Sequence, residues 1–83
     1  MDCFVYQNSL VSSRVGQPYV IKEILKDLET KYRLRLLELG FLPGEEIILK
    51  QKSLKKKTFL VEVRGNMFVI QENIARFVRV EKL

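Results

Sequence analysis

A helix stop and a strand start lie side by side in the segment "LLELGFLPGEE", residues 36–46. We predict that the helix has its C-cap at Leu39 and that Gly40 takes the left-handed position that follows, which glycine adopts without a Cβ penalty. Phe41 would then contact Leu36, the hydrophobic pair of a Schellman motif. This pattern indicates a structural segment and not an active-site loop.

A tight corner is predicted directly after this stop, at residues 42–45. Pro43 fixes φ at the second position of a type II turn, and Gly44 supplies the positive φ that the third position needs. Such a corner would start a strand at Glu46. Leu42 has no role in the turn, so we expect it either to cover the core or to project toward a partner.

The residues before the stop predict one short amphipathic helix. Leu34, Leu37 and Phe41 recur at spacings of three and four, as do Tyr32, Leu36 and Leu39–Gly40, and charged residues fall mainly between them. Thr30 is the candidate N-cap. A helix of about ten residues is marginal alone, so we expect it to pack against a sheet.

Several segments have the β-branched or alternating composition that is typical of strands. They are 19–25, 46–52, 58–63, 67–71 and a closing strand that begins at Phe77. The phase of the apolar residues shifts within the first of them, which indicates a bulge or bend. Residues 64–66, Arg-Gly-Asn, predict a tight hairpin connection. Residues 71–75 predict a single helical turn, and residues 1–13 an irregular lead-in.

These elements together predict a mainly β chain, a small β-barrel of about five antiparallel strands with one short α-helix. At 83 residues we expect one domain, spanning residues 1–83. The single cysteine, Cys3, permits no internal disulfide, and the N-terminal residues resemble no signal peptide. We therefore expect a soluble protein of a reducing compartment.

The composition argues against chemistry carried out by this chain. Histidine, the commonest general base and metal ligand, is absent. The four glycines are dispersed and form no phosphate-binding loop. The acidic pair Glu45 and Glu46 would point to opposite faces of a strand. We expect no enzymatic activity, no cofactor, no metal site and no tight binding of ferrous iron.

The first candidate working surface is a basic hairpin. It has no acidic residue among its lysines, which are Lys50, Lys52, Lys55, Lys56 and Lys57. One interpretation is a solvated loop that discourages pairing between sheet edges. The other is a docking surface for an acidic protein or for anionic lipid headgroups.

The second candidate surface is an apolar stripe on two strands. Alternation places Leu60, Met67 and Val69 on the outward face, where they would mark a partner-binding or self-association surface. Alternatively, the N-terminal segment folds over them, with Phe4 and Tyr6 as the cover.

Nucleic acid is the rival partner, because the net charge is +5 and small basic barrels often bind it. Tyr19, Phe59 and Phe68 are the aromatic residues that would stack on bases. The arginine–glycine–aromatic pattern of the RNP type is missing, however. We expect these three residues in the core.

Residues 33–47, "RLRLLELGFLPGEEI", resemble the hallmark of the ferrous iron transport protein A (FeoA) family. That hallmark is a basic helix ending in leucine–acid–hydrophobic–glycine, followed by hydrophobic–x–proline–glycine; here it includes Gly40, Phe41, Pro43 and Gly44. "VGQPYVIKEI" (15–24) resembles the family's Gly-Gln turn and first main strand, and "VEVRGNMFVIQENIARFVRV" (61–80) resembles its closing strands.

The resemblance covers about residues 14–81 and implies an SH3-like small barrel, in agreement with the strand count. It also implies a cytoplasmic accessory to the membrane GTPase that imports ferrous iron, one that contacts the cytosolic domain of that transporter and is recruited to the inner face of the membrane. The same module occurs as a C-terminal domain of iron-dependent repressors.

Overall fold

The computed structural model describes residues 8–83. In chain order it has a 3-10 helix (Leu10–Ser12), strand β1 (Pro18–Ile24), helix α1 (Thr30–Leu39), strands β2 (Glu46–Ser53), β3 (Thr58–Val63) and β4 (Asn66–Gln71), the single-turn helix α2 (Glu72–Ala75) and strand β5 (Val78–Lys82). The predictions that concern Cys3, Phe4 and Tyr6 lie outside the described residues.

All five strands belong to one antiparallel sheet in the order β4-β3-β2-β1-β5. The prediction of a mainly β chain with five antiparallel strands and one short main helix is confirmed. Strand β1 changes register against β5 between Ile21 and Glu23, which is the predicted bulge. A second irregularity lies in β2 between Leu49 and Gln51. Because bulges bend and twist a strand, both help the sheet to curl around its core.

The helix stop forms as the sequence predicts. The Phe41 N–H donates to the Leu36 carbonyl at 3.0 Å, and the Gly40 N–H donates to the Leu37 carbonyl at 3.1 Å. Gly40 has φ +105°, in the left-handed region. These paired bonds define a Schellman motif.

The start of α1 differs from the prediction by one residue. The cap position is Glu29 and not Thr30, because Thr30 is already the first helical residue and Glu29 has a non-helical backbone (φ −54°, ψ 137°). The Glu29 carbonyl accepts the N–H groups of Tyr32 and Arg33 at 3.0 and 3.1 Å. No side chain caps this end of α1.

The corner at residues 42–45 is a type II turn that is also bonded to β1. The Glu45 N–H donates to the Leu42 carbonyl at 3.0 Å, and Gly44 has φ +95°. The Gly44 N–H reaches the Ile21 carbonyl, and the Ile21 N–H reaches the Glu45 carbonyl, both at 2.8 Å. The corner therefore ties the end of α1 to the sheet.

The connection between β3 and β4 is one residue shorter than predicted. Its two residues are Arg64 and Gly65, with φ +55° and +82°, and Asn66 already pairs with Val63 as part of β4. Positive φ at both central positions is typical of a type I′ turn, whose twist matches the flanking strands.

The core lies between the sheet, α1 and the N-terminal 3-10 helix. Phe41 is 0% exposed, and its ring lies 5.5 Å from that of Phe68. The other large apolar side chains that are fully buried are Leu10, Ile21, Ile47, Leu49, Val61, Val63 and Val78.

The stretch expected as an irregular lead-in contributes to this core where the structure describes it. Leu10 is buried, the Ser9 hydroxyl caps the 3-10 helix by accepting the Val11 N–H at 3.2 Å, and the Asn8 carbonyl accepts the Val80 N–H at 2.7 Å. Because residues 1–13 have no clear hydrophobic periodicity, the sequence did not indicate that this segment packs against the core.

Candidate functional site

The apolar stripe on β3 and β4 has the orientation that the alternation predicts. Val61 and Ile70 are buried, whereas Met67 is 50% exposed and Val69 is 68% exposed. Leu60 is half-buried. We call these three outward residues, Leu60, Met67 and Val69, the β3–β4 face.

The sheet register places the members of the β3–β4 face side by side. Leu60 pairs with Val69, and both line a shallow hollow of about 240 Å³ that Lys56 also borders. Met67 pairs with Glu62, one row further along. The apolar surface therefore runs across two neighbouring strands, with a lysine at one side of it.

A groove next to this face was not predicted from the sequence. It has a volume of about 310 Å³ and lies where α1 passes the edge strand β4. We call it the α1–β4 groove; it is lined by Tyr32, Arg35, Leu36, Leu39, Phe68, Val69, Ile70, Gln71 and Ile74. Most of this lining is aliphatic or aromatic, as is typical of sites that receive an apolar side chain.

Val69 belongs to both surfaces, because it lines the hollow beside Leu60 and also the α1–β4 groove. Tyr32 on α1 is the other exposed residue of the groove that is large and apolar. The sequence signal for the groove was present in the spacing of Tyr32, Leu36 and Leu39 along one helix face. Only the tertiary arrangement shows that this helix face does not fully cover the edge strand β4, so that a groove remains between them.

Leu42 projects from the corner and does not cover the core. It is 38% exposed, and its position between α1 and β2 puts it on a different element from the β3–β4 face. Its exposure argues against the first alternative, that it covers the core; contact with a partner stays a prediction.

The basic hairpin divides into two groups of lysines. Lys50 forms an ion pair with Glu62 at 3.5 Å. The Lys52 ammonium donates to the Val11 carbonyl at 3.3 Å and lies 5.9 Å from the centroid of the Phe59 ring. These two lysines therefore take part in the packing of the fold.

The second group, Lys55, Lys56 and Lys57, occupies the loop between β2 and β3. All three are exposed, and within residues 8–83 none of them forms an ion pair. Leu54, which precedes them, is 85% exposed. Leu54 was not among the predicted contact residues, although its place inside a charged loop was a visible signal in the sequence.

The structural setting does not favour the aromatic residues as a stacking platform for nucleic acid bases. Tyr19 and Phe59 are buried in the core, and the Tyr19 hydroxyl accepts the Arg14 N–H at 3.0 Å. Phe68 is half-buried against Phe41. Stacking on a base requires an exposed ring face. The packing of these three rings limits how much of each ring face a base could reach.

Metal-ligand clusters and membrane-spanning helices are both absent from residues 8–83. No group of three or more Asp, Glu, Cys or His side chains lies close enough to hold a metal ion there. No helix in this range is long and apolar enough to cross a bilayer. The acidic pair consists of a half-buried Glu45 and an exposed Glu46 on successive residues.

Comparison with protein families matches residues 9–82 to the FeoA domain. A comparison with curated proteins finds no match.

Solved structures with the same fold include FeoA proteins and metal-dependent regulators. The solution structure of FeoA from Chlorobium tepidum has a TM-score of 0.82 at 20% identity, over 90% of this chain and 70% of that one. FeoA from Stenotrophomonas maltophilia, crystallised with zinc and described as a prokaryotic SH3 domain protein, has a TM-score of 0.77 at 28% identity over 88% of each chain. A manganese-dependent transcriptional repressor has a TM-score of 0.82 at 13% identity, over 90% of this chain and 41% of that one. The expectation of an SH3-like small barrel is confirmed.

Proposed function

Because the chain belongs to the FeoA domain family, we propose that it is an accessory protein of ferrous iron uptake that binds the cytosolic domain of a membrane GTPase transporter and modulates its activity. The family is associated with ferrous iron transport. The similar protein from Stenotrophomonas maltophilia has been suggested to act as a bacterial ferrous iron transport activating factor. In this proposal the protein works in the cytoplasm, at the inner face of the membrane.

The observation that carries the proposal is the exposure of Val69 on the edge strand β4. An apolar β-branched side chain that is 68% exposed, beside a groove with an apolar lining, is typical of a protein-contact surface. Met67 extends this surface along the same strand. An edge strand also has backbone groups available for pairing with a partner.

The proposed activity is binding and not catalysis. The sequence has no histidine, and the described residues place no cluster of acidic or sulfur ligands around a cavity. A small barrel with one apolar contact surface fits a regulator that changes the population of its partner's states.

The test is calorimetric titration with the cytosolic domain of the transporter from the same cell. We expect saturable binding in at least one of three states: nucleotide-free, GDP-bound, or bound to a non-hydrolysable GTP analogue. Val69→Asp should weaken this binding by about tenfold or more, because it places a charge at the contact. The matched control is Val15→Asp, since Val15 is 55% exposed but lies in the turn before β1.

Two outcomes would overturn the proposal. One is the absence of binding by the wild-type chain in every nucleotide state. The other is equal weakening by Val69→Asp and Val15→Asp, which would remove the β3–β4 face from the interface. Circular dichroism of both variants checks that each remains folded.

A further inference from the structure

The loop between β2 and β3 combines an exposed leucine with three consecutive lysines. We call this loop, Leu54, Lys55, Lys56 and Lys57, the hairpin tip. Leu54 is 85% exposed, a larger fraction than for any other large apolar side chain in residues 8–83. A leucine at that position contributes nothing to the core, and its exposure to water is unfavourable.

The hairpin tip is held in place by its backbone. The Lys56 N–H donates to the Ser53 hydroxyl at 3.2 Å, and the Lys57 carbonyl accepts the Glu72 N–H at 2.9 Å. Lys57 has φ +55°, a left-handed conformation that closes the loop before β3. The loop therefore has a defined shape while its four side chains stay exposed.

The charge of the hairpin tip is not neutralised by its surroundings. Lys56 and Lys57 line a hollow together with Glu72 and Arg76. The negative charge of Glu72 is offset there by the positive charge of Arg76. Three of the fifteen basic residues of the chain are thus concentrated on three consecutive exposed positions. By contrast, Lys22 lies 3.4 Å from Glu81, and Lys31 lies 3.9 Å from Glu29.

We propose that the hairpin tip binds an anionic phospholipid surface, with Leu54 entering the boundary between headgroups and acyl chains and the three lysines contacting lipid phosphates. An exposed apolar residue inside a cluster of basic ones is the pattern of interfacial membrane attachment. A nucleic acid backbone would attract the lysines but would give Leu54 no apolar environment. The vesicle experiment does not depend on the proposed transporter contact, because it needs no protein partner, although Lys56 also borders the hollow that Leu60 and Val69 line.

The test is co-sedimentation of the full chain with phospholipid vesicles. We expect binding to vesicles of phosphatidylcholine mixed with phosphatidylglycerol, weakening as salt is added, and little binding to pure phosphatidylcholine. Replacing all three lysines by glutamine should lower the partition coefficient by about 100-fold, because each basic residue near an anionic surface contributes several-fold. Leu54→Ser should lower it by about tenfold.

The matched control replaces the same number of lysines elsewhere: Lys22, Lys26 and Lys31 to glutamine. This triple variant has the same net charge as the tip variant, and we expect it to keep most of the vesicle binding. Equal loss in the two triple variants, no effect of Leu54→Ser, or no binding to the mixed vesicles at low salt would overturn the proposal. Tighter binding to duplex DNA than to the vesicles would also overturn it in favour of nucleic acid.

Discussion

The Arg64 side chain lies over Gly40, with its Cδ atom 3.2 Å from the point that a Cβ on Gly40 would occupy. The turn between β3 and β4 thereby covers the C-terminal end of α1. The Arg64 Nη1 atom is 3.9 Å from the same point, so a cation sits at the negative end of the helix dipole, which is a favourable arrangement. Gly40 is required here for two reasons: its positive φ and the close approach of Arg64.

We predict that Gly40→Ala lowers the free energy of unfolding by about 1–3 kcal/mol, since alanine is strained at φ +105° and would also crowd Arg64. Urea denaturation measures the loss. The control is Gly44→Ala, at φ +95°, where a Cβ would meet nothing within 4 Å. The difference between the two variants isolates the contact with Arg64.

A double-mutant cycle separates this contact further. In an Arg64→Ala background, the excess cost of Gly40→Ala over Gly44→Ala should disappear. If the excess persists there, the crowding by Arg64 is not its cause.

The second prediction concerns the two hydrophobic residues that follow the helix stop. Phe41→Ala should cost about 3–5 kcal/mol of unfolding free energy, because the ring is 0% exposed and packs against Phe68. Leu42→Ala should cost less than about 1 kcal/mol, since Leu42 is exposed. Thermal or urea unfolding of the two variants compares them directly. Similar losses for both would mean that Leu42 belongs to the core after all.

The third prediction concerns the division of the basic hairpin. Lys52→Ala should lower the free energy of unfolding by about 1 kcal/mol, because it removes a hydrogen bond to Val11 and a cation–aromatic contact with Phe59. Lys55→Ala should change it by less than about 0.5 kcal/mol, as expected for an exposed residue without an ion pair in the described chain. Urea denaturation at constant ionic strength measures both. A larger loss for Lys55→Ala would contradict the assignment of Lys52 to the fold.

Local signals in the sequence predicted the helix stop well. The Schellman bonds, the type II turn and the bulge in β1 all depend on residues close together in the chain, so their pattern was visible without tertiary information. Two predictions differ from the structure by one residue: the start of α1 and the length of the turn at Arg64. Both lie at the ends of helices or strands, where the exact terminal residue is hard to assign from sequence.

The features that the sequence did not predict depend on distant parts of the chain. Leu10 is buried because the sheet accepts the N-terminal 3-10 helix, which no local periodicity indicated. The α1–β4 groove exists because α1 leaves part of the edge strand uncovered. The division of the lysines into two groups likewise depends on contacts between distant residues, because Lys52 bonds to Val11 and Lys50 pairs with Glu62.

Binding of the transporter at strand β4 and helix α1 can be observed by a nuclear magnetic resonance titration of the isotope-labelled chain with the cytosolic domain of the transporter. We expect the largest amide shifts or broadening at Met67, Val69 and Tyr32, with smaller changes at Val15. Perturbations confined to residues remote from β4 and α1, or none in any nucleotide state, would show that the transporter does not bind at this surface.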